Sequence, residues 1–340
     1  MIREAIAEIV AGRSLKTDEA ARVMDEVMQG EATPSQIAAF AVALSMKGET
    51  PEEMVGLART MLANAVRIDP GAELDTCGTG GDGSHSFNIS TAAAFVAAGA
   101  GVRVAKHGNR AMSSRCGSAD VLEALGVRLD LKPAEVERCI REVGIGFLFA
   151  PAFHPAMRHA SAPRREVGVR TVFNVLGPLC NPAGPRAQLL GVATPALLPK
   201  MAFVLGQLGC GRAMVIHGED GIDELTLRGR SLVCEMDGGK LSSYEVRPED
   251  FGVAGDAGGD CPGGSCEQNA ALLRDVLSGA PGPYRDVVVM NGAAALRVAG
   301  VARDLKDGAA IARDVLDSGL ARAKLERLVG FCRSTAEATA

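Results

Sequence analysis

Apolar positions over residues 1 to about 66 recur with the period of a helix. Ile37, Phe40, Ala41 and Leu44 fall on one face of one predicted helix, and Met54, Leu57, Ala58 and Met61 on one face of the next. Both starts are written into the chain. Thr33-Pro34-Ser35-Gln36 and Thr50-Pro51-Glu52-Glu53 each supply an N-cap threonine, proline at the first helical position and Gln or Glu at the third, the pattern of a capping box. Such stripes predict a core inside this unit, or a face buried against a second subunit.

From about residue 72 the period changes to short β-branched runs alternating with helical stretches, the signature of βαβ units. Strands are expected at 102–105, 145–149, 188–193, 213–217 and 286–290, with helices at 91–100, 118–126, 133–143, 195–208, 266–278 and 307–329. Segments 232–235 and 243–246 around Asp237-Gly238-Gly239 read as an appended hairpin. The stretch 252–264, rich in Gly and Pro, is the one low-complexity loop, and no internal repeat is visible. The fold class that follows is α/β with a mostly parallel sheet. A small helical domain (1–70) precedes a larger α/β domain (71–340), and a helical segment near 160–183 returns to the first.

Composition narrows the function classes. A net charge of −5 argues against a general nucleic-acid or anionic-membrane surface, which needs clustered positive charge. Aromatics make up 4% of the chain and tryptophan is absent, so a stacking platform for single strands is poorly supplied. The nine cysteines form no Cys-x-x-Cys pair and no zinc spacing, which predicts free thiols in a reducing compartment. Cys261 and Cys266 are the pair that oxidation would cross-link most readily. The first residues carry no basic leader with an apolar core, and the most apolar tract, 92–102, is shorter than the roughly 20 residues a bilayer needs. A cytoplasmic protein is expected.

Chemistry concentrates in Asp75-Thr76-Cys77-Gly78-Thr79-Gly80-Gly81-Asp82-Gly83, continued by Ser84-His85-Ser86-Phe87-Asn88-Ile89-Ser90-Thr91. Glycines lower steric cost where backbone approaches a ligand, and the hydroxyls stand just before a predicted helix whose N-terminal N–H groups suit phosphate oxygens. A tight turn with an ordinary cap is the alternative. Next, the 102–105 strand runs into Lys106-His107-Gly108-Asn109-Arg110, placing cations and amides at a strand's carboxyl end, where ligands of open α/β sheets bind. Ser113-Ser114-Arg115-Cys116-Gly117-Ser118 follows. Downstream, the basic run from Arg158 to Arg170 leads into Phe173-Asn174-Val175-Leu176-Gly177-Pro178-Leu179-Cys180-Asn181-Pro182, and by itself reads as a solvated helix face. Asp223-Glu224, in a loop after the 213–217 strand, offers hard oxygen ligands of the kind Mg²⁺ takes together with substrate phosphates; capping or a surface pair is the other reading.

Gly-Thr-Gly-Gly-Asp, Asn-Ile-Ser-Thr and Lys-His-Gly-Asn-Arg, in this order and spacing, resemble the anthranilate phosphoribosyltransferase family of the tryptophan pathway, and the likeness covers essentially the full length. The resemblance implies a nucleoside phosphorylase-like phosphoribosyltransferase fold. It also implies transfer of a phosphoribosyl group from phosphoribosyl pyrophosphate to the amine of anthranilate, releasing pyrophosphate. By the same resemblance Gly78, Gly80, Gly81, Asp82, Ser86, Asn88, Ser90, Thr91, Lys106 and Ser118 bind the donor. Gly78, His107, Asn109, Arg164 and Pro178 bind anthranilate, and Ser90, Asp223 and Glu224 hold up to two Mg²⁺ ions. His107 otherwise reads as a structural imidazole; His85, His154, His159 and His217 carry no expected role. The family further implies a homodimer joined through the helical domain. One departure stands out: Pro163 occupies a place where relatives usually have valine, with their proline one position earlier, which leaves the approach of Arg164 open. Two rivals remain at this point. A pyrimidine nucleoside phosphorylase would bind inorganic phosphate without the Asp-Glu pair, and a nucleic-acid-binding relative would show a basic surface without it.

Overall fold

The computed structural model describes residues 1–111, 115–255 and 261–337. Ser113 and Ser114 of the sequence motif and the middle of the 252–264 loop lie outside the described residues. The N-terminal unit is a bundle of α1 (Ile2–Val10), α2 (Thr17–Met28), α3 (Pro34–Lys47) and α4 (Pro51–Ala63). Both capping boxes form: Gln36 N–H meets Thr33 Oγ1 and Glu53 N–H meets Thr50 Oγ1, each at 3.3 Å. Glu53 does more than cap. Its fully buried carboxylate also accepts from Leu15 N–H and from Lys47 Nζ, both at 2.9 Å, so one capping residue clamps three segments of the bundle.

The second unit contains β1 (Leu74–Gly78), α5 (Ile89–Gly99), β2 (Val104–Gly108), α6 (Ser118–Ala124), α7 (Pro133–Val143) and β3 (Ile145–Phe149). The chain then passes through α8 (Ala150–Phe153), α9 (Arg158–Val167) and α10 (Val172–Leu176). It returns to the sheet as β4 (Ala187–Gly191), α11 (Leu197–Gln207), β5 (Arg212–Gly218), β6 (Ser231–Asp237) and β7 (Lys240–Val246). Helices α12 (Cys266–Leu277), α13 (Pro283–Ala299), α14 (Leu305–Asp317) and α15 (Leu320–Glu337) complete it.

The seven strands lie in the order β3-β2-β1-β4-β5-β6-β7; the first five are parallel and the β6–β7 hairpin is antiparallel. Its turn residues Gly238 and Gly239 have φ of 54° and 84°, the left-handed values a two-residue hairpin turn requires. The parallel strands are buried on both faces, polar members such as Asp75, Lys106 and Gln188 included. Along β5, Met214 and Ile216 join a core with α5, α13 and α14, while Ala213 and Val215 join one that continues into the helical bundle. Ala160, Val172, Phe173 and Leu176, from α9 and α10, belong to that second core. These side chains therefore pack in the same core as the bundle helices.

Three expectations fail here. The 286–290 segment is part of α13, not a strand: Val287, Val288, Val289 and Met290 are buried all round, and such a run carries no period to separate helix from strand. The single helix expected at 307–329 is two, broken at Gly319, whose φ is 73°. Asp75–Gly78, read as the opening of the glycine-rich stretch and not as a strand, lies in the central strand β1.

Candidate functional site

Strand order reverses between β1 and β4, and the glycine loop leaves β1 at that switch point, the place where open α/β sheets hold ligands. Gly78 ends β1 against Asp223: a Cβ there would strike Asp223 Oδ2. Gly80, Gly81 and Gly83 have φ of 64°, 69° and 75°, a conformation that makes glycine the natural choice. The Gly80 N–H donates to Asp223 Oδ2 at 2.7 Å. Asp82 Oδ2 accepts from Ser84 Oγ at 2.6 Å and from Asp223 N–H at 3.3 Å, closing the loop onto the segment after β5. Ser86 bridges to Pro262, so the loop's far end is tied to the chain before α12.

Asn88 is the N-cap residue of α5, yet its side chain does not cap; its Nδ2 donates to the Cys116 carbonyl at 3.1 Å. The Asn88 side chain therefore caps none of the first amides of α5, and the Ser90 N–H is taken by the Glu224 carboxylate. Asn88 Oδ1 and Thr91 Oγ1 are buried without a hydrogen-bond partner among the described residues. Lys106 projects from β2, and its Nζ donates to the Thr76 carbonyl at 2.6 Å and to Ser90 Oγ at 3.2 Å. Burial lowers its pKa, opposed by Asp75.

The carboxylates behind the loop are under strain of charge. Burial, then the charge of Asp82, pushes Asp223 up to about 7. Burial and Asp223 push Glu224 well above its ordinary range, although a Ser90 main-chain hydrogen bond and Lys106 oppose this. Buried like charges with few compensating cations, presented by hard oxygens, fit a divalent cation.

His107 is buried at the end of β2. Its ring is hydrogen-bonded to the Gly177 main chain, and its Nε2 has no partner among the described residues. Burial, with His154 beside it at a ring separation of 5.2 Å, presses its pKa down to about 3. His154, to which the sequence assigned nothing, is the residue it packs against, fixed by Nε2 donating to the Cys180 carbonyl at 2.9 Å. Asn109 is exposed, and its carbonyl accepts from Ser118 Oγ at 3.4 Å and Ala119 N–H at 3.2 Å, which binds the head of α6 to the end of β2. Arg110 pairs with Asp120 and Glu123 on α6.

Across the cleft, α9 carries Arg164 half-buried with its guanidinium 5.6 Å above the Phe173 ring; burial lowers its pKa, and no acidic side chain pairs with it among the described residues. Pro163 is buried inside α9 and Arg165 is exposed, so the shifted proline leaves Arg164 facing inward. Pro178 is pinned by Gln188 Nε2 donating to its carbonyl at 2.6 Å.

The helical bundle domain of a glycosyl transferase family matches residues 3–65, and the a/b domain of the same family matches residues 71–322. An anthranilate phosphoribosyltransferase of Moorella thermoacetica is 53% identical over 338 residues, 99% of this chain and 100% of the relative. The chain belongs to the anthranilate phosphoribosyltransferase family. A crystal structure of such an enzyme from Thermus thermophilus superposes with a TM-score of 0.91 at 49% identity, covering 97% of this chain and 99% of that one. One from Saccharomyces cerevisiae, in complex with PRPP and Mg, superposes at 0.88 with 27% identity and 98% of each chain covered.

Sequence reasoning passed over two residues of this family member's cleft. Asp75, buried beneath the loop, accepts from Asn181 Nδ2 at 2.9 Å and His107 N–H at 3.3 Å, and burial raises its pKa to about 6. Its place within the glycine stretch was the only signal. Arg170, lost in a basic run, donates to the Gly80 carbonyl. Cys266 lies against Cys116, and its Sγ contacts the Arg115 carbonyl.

Proposed function

We propose that the cleft at the carboxyl edge of β1, β2 and β5 binds phosphoribosyl pyrophosphate and anthranilate. The reaction gives N-(5-phosphoribosyl)anthranilate and pyrophosphate, the second step of tryptophan biosynthesis from chorismate. The observation that carries this reading is a set of buried polar atoms without partners among the described residues, Asn88 Oδ1 and Thr91 Oγ1 at the head of α5 and His107 Nε2 at the end of β2. A buried polar atom is normally satisfied, and a ligand rich in hydroxyls and phosphate oxygens offers both donors and acceptors.

In this account the Gly81 amide, the backbone about Gly80, Asn88, Ser90 and Thr91 at the head of α5, and Lys106 and Ser118 hold the donor. Asp82 and Ser86 shape the loop. Charge that grows on the leaving diphosphate meets N–H groups and an ammonium already in place, so little reorganisation is needed as the anomeric carbon becomes oxocarbenium-like. Asp223, Glu224 and Ser90 would hold up to two Mg²⁺ ions, which orient the diphosphate and draw off its charge.

The acceptor needs little chemistry and much placement. Anthranilate's aromatic amine is unprotonated near neutral pH, so no strong base has to act first. Arg164, with no acidic partner among the described residues and its guanidinium over the Phe173 ring, takes the carboxylate through its planar fork. His107 stays neutral and, with its other nitrogen bound to Gly177, offers the Nε2 lone pair to the amine. Gly78, Asn109 and Pro178 complete the pocket, and effective concentration supplies much of the rate.

Residues 1–70 are assigned to the helical domain with 160–183 returning to it, and 71–340 to the donor-binding domain. A homodimer through the helical domain accords with Val10 on α1 and Met46 on α3, apolar side chains that are 74% and 84% exposed. No helix among the described residues is long and apolar enough to cross a membrane, and we assign the protein to the cytoplasm. The test is turnover with both substrates, followed by loss of anthranilate fluorescence, beside phosphorolysis of pyrimidine nucleosides. Magnesium-dependent loss of anthranilate without phosphorolysis supports the proposal. Phosphorolysis without anthranilate consumption overturns it.

A further inference from the structure

Arg170 lies in the 168–171 link between α9 and α10, six positions after Arg164. Its carbonyl accepts from Ser45 Oγ on α3 at 3.3 Å, so its main chain is tied to the helical bundle. Its side chain crosses the cleft. The guanidinium donates to the Gly80 carbonyl, covers Gly81 so closely that a Cβ there would collide with it, and sits near enough to Asp223 to oppose the rise of that carboxyl's pKa. Gly80 is thus read on both sides: its N–H by Asp223, its carbonyl by a cation delivered from the bundle.

An exposed guanidinium spends little of its capacity on one neutral carbonyl. Five N–H donors in a planar fork match phosphate oxygens far better, and charge-assisted bonds are about twice as strong as neutral ones. We propose that Arg170 is a donor-binding residue that exchanges the Gly80 carbonyl for an oxygen of the diphosphate, and that this exchange couples donor binding to acceptor binding. The inference rests on the reading that the glycine loop holds a diphosphate. Because Arg170 and Arg164 share one short segment, moving the first onto the donor sets the position of the second. Coupling of this kind is reciprocal: whatever factor the donor adds to acceptor affinity, the acceptor adds to donor affinity.

The experiment uses pyrophosphate as the donor-site probe. Calorimetry measures its binding to the full chain with and without magnesium, and fluorescence titration measures anthranilate binding with and without saturating magnesium pyrophosphate. The parent should bind anthranilate about three- to tenfold more tightly when pyrophosphate is present. Arg170→Ala should lower pyrophosphate affinity about tenfold, with or without metal, and bring the coupling factor to about one, while anthranilate binding alone is unchanged. Arg170→Lys should recover part of the pyrophosphate affinity, and Arg165→Ala should behave as the parent. A melting temperature equal to the parent's separates these effects from unfolding. If the parent binds pyrophosphate and Arg170→Ala binds it equally, the inference falls and the reading of the loop stands. If the parent binds no pyrophosphate, that reading falls and takes the inference with it.

Discussion

The Gly80 amide donates to Asp223 Oδ2 at 2.7 Å, joining two segments 143 positions apart, the glycine loop after β1 and the acidic segment after β5. The same carboxylate leaves no room for a Cβ on Gly78. Loop and carboxylate are therefore one device, and its parts can be separated by substitution.

Asp223→Asn keeps an oxygen for the Gly80 amide but removes a charge that the ligand-free protein holds at a cost. Folded, this carboxyl keeps its proton up to about 7, against 3.8 in the unfolded chain, so its ionisation erodes stability as pH climbs through that window. The variant should melt about 1 to 3 °C above the parent at pH 8 and show little difference at acid pH, by calorimetry without metal. Its turnover should fall by about a hundredfold or more, with a higher magnesium requirement. A variant that melts below the parent at pH 8, or an unchanged magnesium titration, contradicts the assignment.

Two glycines of the loop should respond differently. At Gly80, whose φ is 64°, a Cβ meets nothing within 4 Å, so Gly80→Ala costs backbone strain and crowds only an arriving ligand. Donor KM should rise while the fold is retained. Gly78→Ala displaces Asp223 and should mimic loss of that carboxylate, with a magnesium defect that Gly80→Ala lacks. Equal magnesium titrations in both variants would show that the two glycines do not differ in this way.

Arg164 and Arg165 are neighbours on α9 that differ in exposure. A charge-assisted bidentate pair contributes about 1.5 to 3 kcal/mol, so Arg164→Ala should raise the anthranilate KM by about one to two decades and leave the donor KM nearly unchanged. Arg165→Ala should do neither. A larger acceptor defect in Arg165→Ala would mean that the register set by Pro163 is misread.

His107 keeps its imidazole neutral at every working pH. In the folded state it refuses a proton that the unfolded chain takes up at about 6.5, so its contribution to stability is intact above that value and declines as pH falls toward 3. The anthranilate KM should be flat from pH 6 to 9, and His107→Gln should flatten the acid limb of the stability profile. An inflection in KM near 6.5 that disappears in the variant would show that the imidazole titrates in the site.

Capping boxes, amphipathic stripes and the glycine hairpin were legible in sequence because each is a local signal with its own period or dihedral demand. The α13 strand error has the opposite origin: Val287 to Met290 are buried on every side, and uniform burial erases period. Motif residues Lys106, His107, Asp223 and Glu224 could be named before any coordinates, since chemistry fixes their type. Arg170 could not. Its significance lies in a contact with Gly80, 90 positions earlier, and nothing local distinguishes it from the other arginines of its run.

The most direct measurement is product identity and stoichiometry. Purified protein with phosphoribosyl pyrophosphate, anthranilate and magnesium should yield N-(5-phosphoribosyl)anthranilate by mass spectrometry, with one pyrophosphate released per anthranilate consumed. Omission of magnesium, or the combined Asp223→Asn and Glu224→Gln substitutions, should abolish both products together. Pyrophosphate released without an anthranilate adduct, or an adduct that forms equally well in the doubly substituted protein, would contradict the account.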